Sequence, residues 1–487
     1  MTSIATAALG TRASFGALLR GGAVVAAAVA AWHATDGWDI EQRLVLTALA
    51  GATLAWVVTR VDDTRVALVA VAVLALAGAV PPAVVGRSFV DPTIWLLVGS
   101  CALAAGVAAS GLAQRAAIAL VGGARSVRGL WHRTTIALVL TTFAVPATSG
   151  RAALALPVFR TIAGALPARH QRALSLLFPA VILLSAFASI LGAGAHLVAA
   201  SLVESATGTR ISFAWWLLLG APVALATCVV VTELVLVGWL SRADRALDVA
   251  AVAAAVRAAD GTRRRTPSAP EVRALVTLVT VIALWATEAA HGIHPAIVAM
   301  VAGAITVLPI VGTTTPAHAA RQVPWSLLVF LAATLALGTA LVTSGAADRL
   351  AQASLGALGG AHPASVLLAI VVVSTLAHLV VQSRTARATV LLPVVLVVAL
   401  GAGINPVAAA LASTAAAGFC LTLTSSAKPV AMFASVAGVQ SFDRASLLAL
   451  AAMTAPVVVG TTLLAAAWLW PALGVPLETP AALRGTR

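Results

Sequence analysis

Charge is what this chain has least of. Only 9% of its 487 residues are charged, while 61% are hydrophobic and the mean hydropathy is +1.03. That is too little polar surface to cover a soluble globule of this size, so the chain must face lipid. The alternating segments of ~10 residues that mark the strands of a membrane barrel are also missing, which leaves helices. Cysteine is scarce: Cys101, Cys228 and Cys420 all lie within apolar runs, show no metal-ligand spacing and read as buried small hydrophobes. Lysine is scarcer, with Lys428 alone against 29 arginines. No metal site and no bound cofactor are expected. Residues 1–14, with Arg12, read as a polar lead into a start-transfer helix, because a cleavable signal would not be followed by so many further apolar runs. The net charge of +14 does not point to nucleic acid, since most of it sits in short loops between apolar runs.

Those runs are long enough, at about 17 to 25 residues, to cross ~30 Å of hydrocarbon as helices, and they predict an all-α polytopic membrane protein with about 11 spans. The spans fall at 15–34, 44–60, 65–84, 91–112, 173–203, 212–240, 273–288, 295–312, 324–344, 406–436 and 445–470. Two more apolar stretches, 134–165 and 364–400, are too long for one helix and carry a turn signal in the middle. Each predicts a re-entrant hairpin of two half-helices.

These hairpins hold a repeated motif. Ala147-Thr-Ser-Gly-Arg151-Ala-Ala-Leu-Ala-Leu-Pro157 recurs 236 positions later as Ser383-Arg-Thr-Ala-Arg387-Ala-Thr-Val-Leu-Leu-Pro393. Before the hairpins, Ser110-Gly-Leu-Ala-Gln-Arg115 matches Ser344-Gly-Ala-Ala-Asp-Arg349; after them, Ala195-His-Leu-Val-Ala199 matches Ala427-Lys-Pro-Val-Ala431. The three matches keep their order, which predicts a duplicated unit. Orientation follows from the positive-inside rule. Segment 241–273 carries Arg242, Arg245, Arg257, Arg263, Arg264, Arg265 and Arg273 and belongs in the cytoplasm, as does 113–133, while Asp36, Asp39 and Glu41 fall outside. The N-terminus is then cytoplasmic and the C-terminus external, in a cell (inner) membrane. The first hairpin enters from the cytoplasm and the second from outside, giving an inverted repeat. The chain divides into N-terminal helices (1–90), a first repeat core (91–240), a cytoplasmic linker (241–272) read as a plain solvated connector, two further helices (273–323) and a second repeat core (324–487).

The chemistry is concentrated where acids are absent. No Asp or Glu occurs between Asp91 and Glu204, or between Asp348 and Asp443, yet these windows hold Arg151, Arg384, Arg387 and Lys428. Each cation at mid-membrane costs about 2.5–3.5 kcal/mol, and four cost on the order of 10 kcal/mol. A bound anion is the simplest compensating partner. Arg384 and Arg387, spaced i, i+3, project from one helix face, and guanidinium forks match carboxylate, sulfate or phosphate oxygens. Ser383, Thr385, Thr148 and Ser149 add hydroxyl donors. The alternative for each arginine is that it snorkels or bonds backbone carbonyls at the hairpin tips. His196, the repeat mate of Lys428, could bind the anion, carry a coupled proton or be a satisfied core histidine. Ser425 and Ser426 lie in a polar break, Thr422-Leu-Thr-Ser-Ser-Ala-Lys-Pro429, that could line a cavity. His378 reads as structural.

The twice-written tip followed by a small-residue run ending in Leu-Pro, with the breaks after each hairpin, resembles the divalent anion/sodium symporter family over roughly residues 40–470. Ser383-Arg-Thr385-Ala-Arg-Ala-Thr-Val-Leu-Leu-Pro393 carries the closest likeness, with Gly111-Leu-Ala-Gln-Arg115-Ala before the first hairpin. The resemblance implies hairpin tips meeting at a midplane substrate site, a homodimer held by a scaffold domain, and elevator movement of a transport domain. The sequence departs from the family at the tip asparagines, where Thr148 and Arg384 stand, and at the first tip serine, which is Ala147. Leu197-Val-Ala-Ala200 and Ser426-Ala-Lys-Pro429 replace its Thr-Pro-Pro-Asn stretches. A guanidinium at 384 repels a nearby cation, so a sodium site there is expected to be lost and transport to be sodium-independent exchange or proton-coupled. The expected activity is secondary transport of a di- or multivalent anion, a C4-type dicarboxylate ahead of sulfate or phosphate. A membrane enzyme acting on anionic lipid is the rival, but the acid-free windows supply it no carboxylates.

Overall fold

A computed structural model describes residues 20–59, 61–258, 266–358, 362–381 and 383–478. The polar lead 1–14 and the arginines at 263–265 lie outside the described residues. Helices dominate, and among the described residues seven are long and apolar enough to cross a membrane, including Phe213–Trp239, Trp325–Thr343 and Arg444–Ala472. Large apolar side chains such as Val69, Leu76, Val276, Val279 and Trp468 point outward, as a lipid-facing surface requires.

Both stretches read as hairpins are helix–turn–helix units. The first runs Val127–Ala144, then Thr148–Gly164; the second runs Pro363–Leu376, a tight turn Ala377–Leu379, then Arg384–Gly401. Serines fix two of the helix starts. Ser126 Oγ accepts from the Gly129 amide and Ser383 Oγ from the Ala386 amide, each meeting an N–H that has no partner within its own helix.

Three of the predicted spans are broken, and in the two that follow the hairpins the sequence had already marked a break. The stretch 173–203 is helical over Ala168–Leu184, passes through tight turns at Ser185–Ala188 and Ile190–Gly192, and restarts as Gly194–Thr207. Close packing forces the break. A Cβ on Gly192 would stand 2.0 Å from the Ala186 carbonyl oxygen, so only glycine admits this fold-back. Likewise 406–436 is helical over Pro406–Ala417, irregular to Ala427, and helical again over Lys428–Ala434. The region 65–84 is also split, into Asp63–Leu76 and Pro82–Phe89.

The two halves interlock reciprocally. Gly194–Thr207, from the first half, packs on the return helix Arg384–Gly401 of the second hairpin; Lys428–Ala434, from the second half, packs on the return helix Thr148–Gly164 of the first. The tip of the second hairpin also docks on the N-terminal helices, where Val381 and Ala386 share a buried cluster with Val66, Ala70 and Phe330. Elsewhere Pro92–Ser110 and Pro295–Val307 meet backbone to backbone through Gly99 and Gly303.

The linker is more than a solvated connector. Ala250–Ala258 is helical and amphipathic, and Val252, Ala253 and Val256 are buried against the first hairpin and the helix Leu112–Val121. Arg257 donates to the Gly122 carbonyl across this contact.

Candidate functional site

The return helix of each hairpin carries an arginine that is fully buried: Arg151 and Arg387 are both 0% exposed. Their surroundings differ. Arg151 donates from Nε to Thr141 Oγ1 (3.0 Å), from Nη1 to the Ile182 carbonyl (2.9 Å), and from Nη2 to the Leu138 carbonyl (2.9 Å) and Ser185 Oγ (2.6 Å). A guanidinium has five N–H donors, so the protein occupies nearly all of them. Arg387 donates from Nη1 to the Phe419 carbonyl (3.4 Å) and from Nη2 to Cys420 Sγ (2.6 Å), while its Nε is buried with no partner among the described residues. Arg384, half-buried, reaches the Leu183 carbonyl through Nη2 at 3.4 Å, and its Nε and Nη1 are both shielded and without a partner among the described residues.

These contacts explain how the cations are tolerated without neighbouring acids. Ile182 and Leu183 belong to the last turn of Ala168–Leu184, whose carbonyls lack helical partners and carry the negative end of the helix dipole. Phe419 stands just past the C-terminus of Pro406–Ala417. Helix C-termini therefore supply part of the compensation, through the bonds to backbone carbonyls that the sequence left open as the alternative to a bound anion. Donors left unsatisfied in a buried site are costly, about 1–3 kcal/mol each and more when charged. Three nitrogens, Nε and Nη1 of Arg384 and Nε of Arg387, are in this position among the described residues.

Of the other residues expected at the site, Ser383 and Thr385 flank Arg384 at the tip and are half-buried, as are Thr148 and Ser149 in the first turn of the other return helix. The tips meet the broken helix closely: a Cβ on Gly194 would lie 3.2 Å from Thr385 Oγ1. His196 is fully buried, stacked on Trp216 at 5.2 Å between ring centroids, with Nδ1 2.9 Å from the Ser189 carbonyl. Its Nε2 has no partner among the described residues. Lys428, expected among the buried cations, is instead exposed at the first position of its helix; Ser425 is exposed beside it. Ser426 is buried and accepts from the Leu423 amide at 3.0 Å, which closes the turn and uses its oxygen structurally. His378 bridges the Thr375 carbonyl and Thr422 Oγ1, as a structural histidine does.

Three participants were not anticipated. Cys420, read as a small hydrophobe, accepts from Arg387. Ser185 accepts from Arg151. Asp63 and Ser383 line one cavity, so a carboxylate from outside the acid-free windows comes to the neighbourhood of the second tip. One cavity borders the second tip and another the first broken helix. The first, of about 690 Å³, is lined by Asp63, Ser383, Trp56 and Arg20; the other, of about 210 Å³, by Ile190, Leu197, Ser201, Glu204 and Arg210. Among the described residues, no cluster of His, Cys, Asp and Glu is arranged to hold a metal ion.

The comparison with known families falls on this frame. The description "Sodium:sulfate symporter transmembrane region" matches residues 19–475, which takes in both hairpins and both broken helices. The chain belongs to this sodium:sulfate symporter family. A membrane protein of Cupriavidus necator is 25% identical to this symporter-family chain over 393 residues, covering 74% of each. Among solved structures, the fold is similar to the YdaH transporter of Alcanivorax borkumensis (TM-score 0.54, 16% identity, 81% of this chain and 88% of that one). It is also similar to MtrF of Neisseria gonorrhoeae, described within a class of antimetabolite efflux pumps (TM-score 0.52, 13% identity, 81% and 83%). At such identities the likeness concerns the fold alone. The family match makes this a multi-span membrane transporter of the anion-carrying symporter family.

Proposed function

We propose that the protein is a secondary transporter of small divalent anions, and that the cargo is held chiefly by Arg384 and Arg387. The observation that carries this is the set of donors unpartnered among the described residues, Nε and Nη1 of Arg384 and Nε of Arg387, gathered one helical turn apart where the two halves interlock. Oxygen atoms of a carboxylate or sulfate complete those donors and remove the repulsion between the guanidinium groups. Arg151 takes a different role from the one first expected of it: with four contacts to protein acceptors it clamps the first hairpin rather than holding cargo. Lys428 and Ser425, exposed beside a non-helical stretch, line an aqueous approach, since irregular backbone at membrane depth needs water or protein around it.

The reciprocal packing of each restarted helix on the opposite hairpin supports an inverted repeat. Alternating exposure of the site by elevator movement in a homodimer is what the family resemblance implies. Transport is sodium-independent, through anion exchange or proton coupling, because guanidinium groups occupy the place where a second cation would be repelled by several kcal/mol at low effective dielectric. His196, whose Nε2 has no partner among the described residues, is the coupling candidate for the second case.

Sulfate and C4 dicarboxylates share the doubly charged oxygen chemistry that this site recognises. Solute counterflow in proteoliposomes with labelled sulfate, succinate and phosphate tests the proposal: accumulation of a divalent anion is expected, and no counterflow with any of the three overturns it.

A further inference from the structure

Arg151 and Arg387 are equivalent in the repeat, yet one is saturated by the protein and the other is not. The cause can be read residue by residue. Arg387's main-chain contact matches its mate's: the acceptors Ile182 and Phe419 are separated by 237 positions and the two arginines by 236. The side-chain acceptors do not match. Arg151 Nε donates to Thr141 Oγ1, and 236 positions further on stands Ala377, which has no hydroxyl. Arg151 Nη2 also donates to Ser185 Oγ, whose counterpart at 237 is Thr422. That hydroxyl is engaged elsewhere, by His378 Nε2 at 2.8 Å, and His378 occupies the position matching Thr142. The turn Ala377–Leu379 packs on the helix that carries Arg387, so an acceptor placed there lies on the right element.

We infer that the exchange of Thr141-Thr142 for Ala377-His378 makes Ala377 a specificity-determining position, one that withholds an internal acceptor so that Arg387 Nε is kept for the anion. This rests on the reading of Arg387 as a cargo ligand. Restoring the threonine in the second copy reproduces the first: the side-chain hydroxyl takes the Nε donor and competes with the cargo. A valine there has the same shape and no hydroxyl, so it separates the hydrogen bond from the added bulk.

The experiment measures equilibrium binding of sulfate and of succinate to purified full-length protein in nanodiscs, for wild type, Ala377→Thr, Ala377→Val, Ala377→Ser and Arg387→Ala. Thermal melting is followed in parallel. Ala377→Thr is expected to weaken binding of whichever anion the wild type prefers by about tenfold or more, the worth of one charge-assisted hydrogen bond. Ala377→Val is expected to stay within about twofold of wild type. If Ala377→Thr does not fold, Ala377→Ser brings the hydroxyl with less bulk and is expected to weaken binding in the same direction. Equal losses in the threonine and valine variants make the position steric and overturn the inference. Unchanged binding in the hydroxyl variants, with binding lost in Arg387→Ala, also overturns it while leaving Arg387 a cargo ligand. Full binding in Arg387→Ala, or none of either anion by wild type, overturns the cargo reading itself and the inference with it.

Discussion

Arg151 and Arg384 come from opposite halves of the chain and hydrogen-bond consecutive carbonyls of one helix end, Arg151 at Ile182 (2.9 Å) and Arg384 at Leu183 (3.4 Å). The last turn of Ala168–Leu184 is therefore a shared negative pole to which both hairpins are tied. The two guanidinium groups are thereby brought to the same helix end. On the proposal that an anion is held by Arg384, its charge offsets the repulsion between them and links cargo binding to the closeness of the hairpins.

From this follows a division of labour between the buried arginines. Replacing Arg151 with alanine strips the donor from two carbonyls and two hydroxyls, at about 1–3 kcal/mol for each group left unsatisfied. Arg151→Ala is expected to lower the melting temperature by several degrees and to reduce the folded yield. Arg387→Ala removes fewer protein contacts, so it should melt near wild type while losing anion binding. Melting curves and binding measured on the same preparations check both halves of the statement.

Sodium should be dispensable. Uptake of the labelled anion into proteoliposomes is expected to be unchanged when external sodium is replaced by choline, because cationic side chains face the site from the second tip. A steep rise with an imposed sodium gradient contradicts this.

The helix pair Pro92–Ser110 and Pro295–Val307 makes a prediction about stability alone. A Cβ on Gly99 would lie 2.4 Å from the Ala299 carbonyl carbon, against rigid backbone, whereas a Cβ on Gly303 would meet the Gly99 carbonyl oxygen at 3.0 Å. Overpacking of this kind costs about 1–3 kcal/mol. Gly99→Ala is expected to lower the melting temperature more than Gly303→Ala, and thermal unfolding of the two variants tests the order.

The linker helix gives a fourth test. Val252→Asp and Val256→Asp place a charge in the apolar contact between Ala250–Ala258 and the first hairpin. Each is expected to release the helix, seen as faster proteolytic cleavage between residues 245 and 270 than in wild type. Equal cleavage rates show that the docking adds nothing to the stability of this segment.

Much of the architecture was legible because its causes are local. The acid-free apolar stretches, interrupted where Ser383 and Ala147 precede the return helices, marked both hairpins, and the mirrored arginines marked the tips. The break after the first hairpin was marked in the sequence, but not its course, since Ser185 to Gly192 folds back through the close contact between Gly192 and the Ala186 carbonyl. The satisfaction of Arg151 was hidden for a related reason: half of its acceptors are main-chain carbonyls, which no residue type reveals. Asp63 was missed because it lies far from Ser383 along the chain. Cys420 was misread because an apolar neighbourhood says nothing of the guanidinium that enters it. Lys428 was placed among the buried cations by its repeat position, but the irregular stretch before it turns the side chain outward.

The most direct measurement of the central claim is counterflow of labelled sulfate and succinate by proteoliposomes containing Arg384→Gln or Arg387→Gln, each shown to melt within a few degrees of wild type. The expected result is accumulation by wild type and loss of accumulation in both variants, because glutamine cannot present the forked donors that are left free in the folded protein. Undiminished accumulation by either folded variant contradicts the claim that these two guanidinium groups carry the anion.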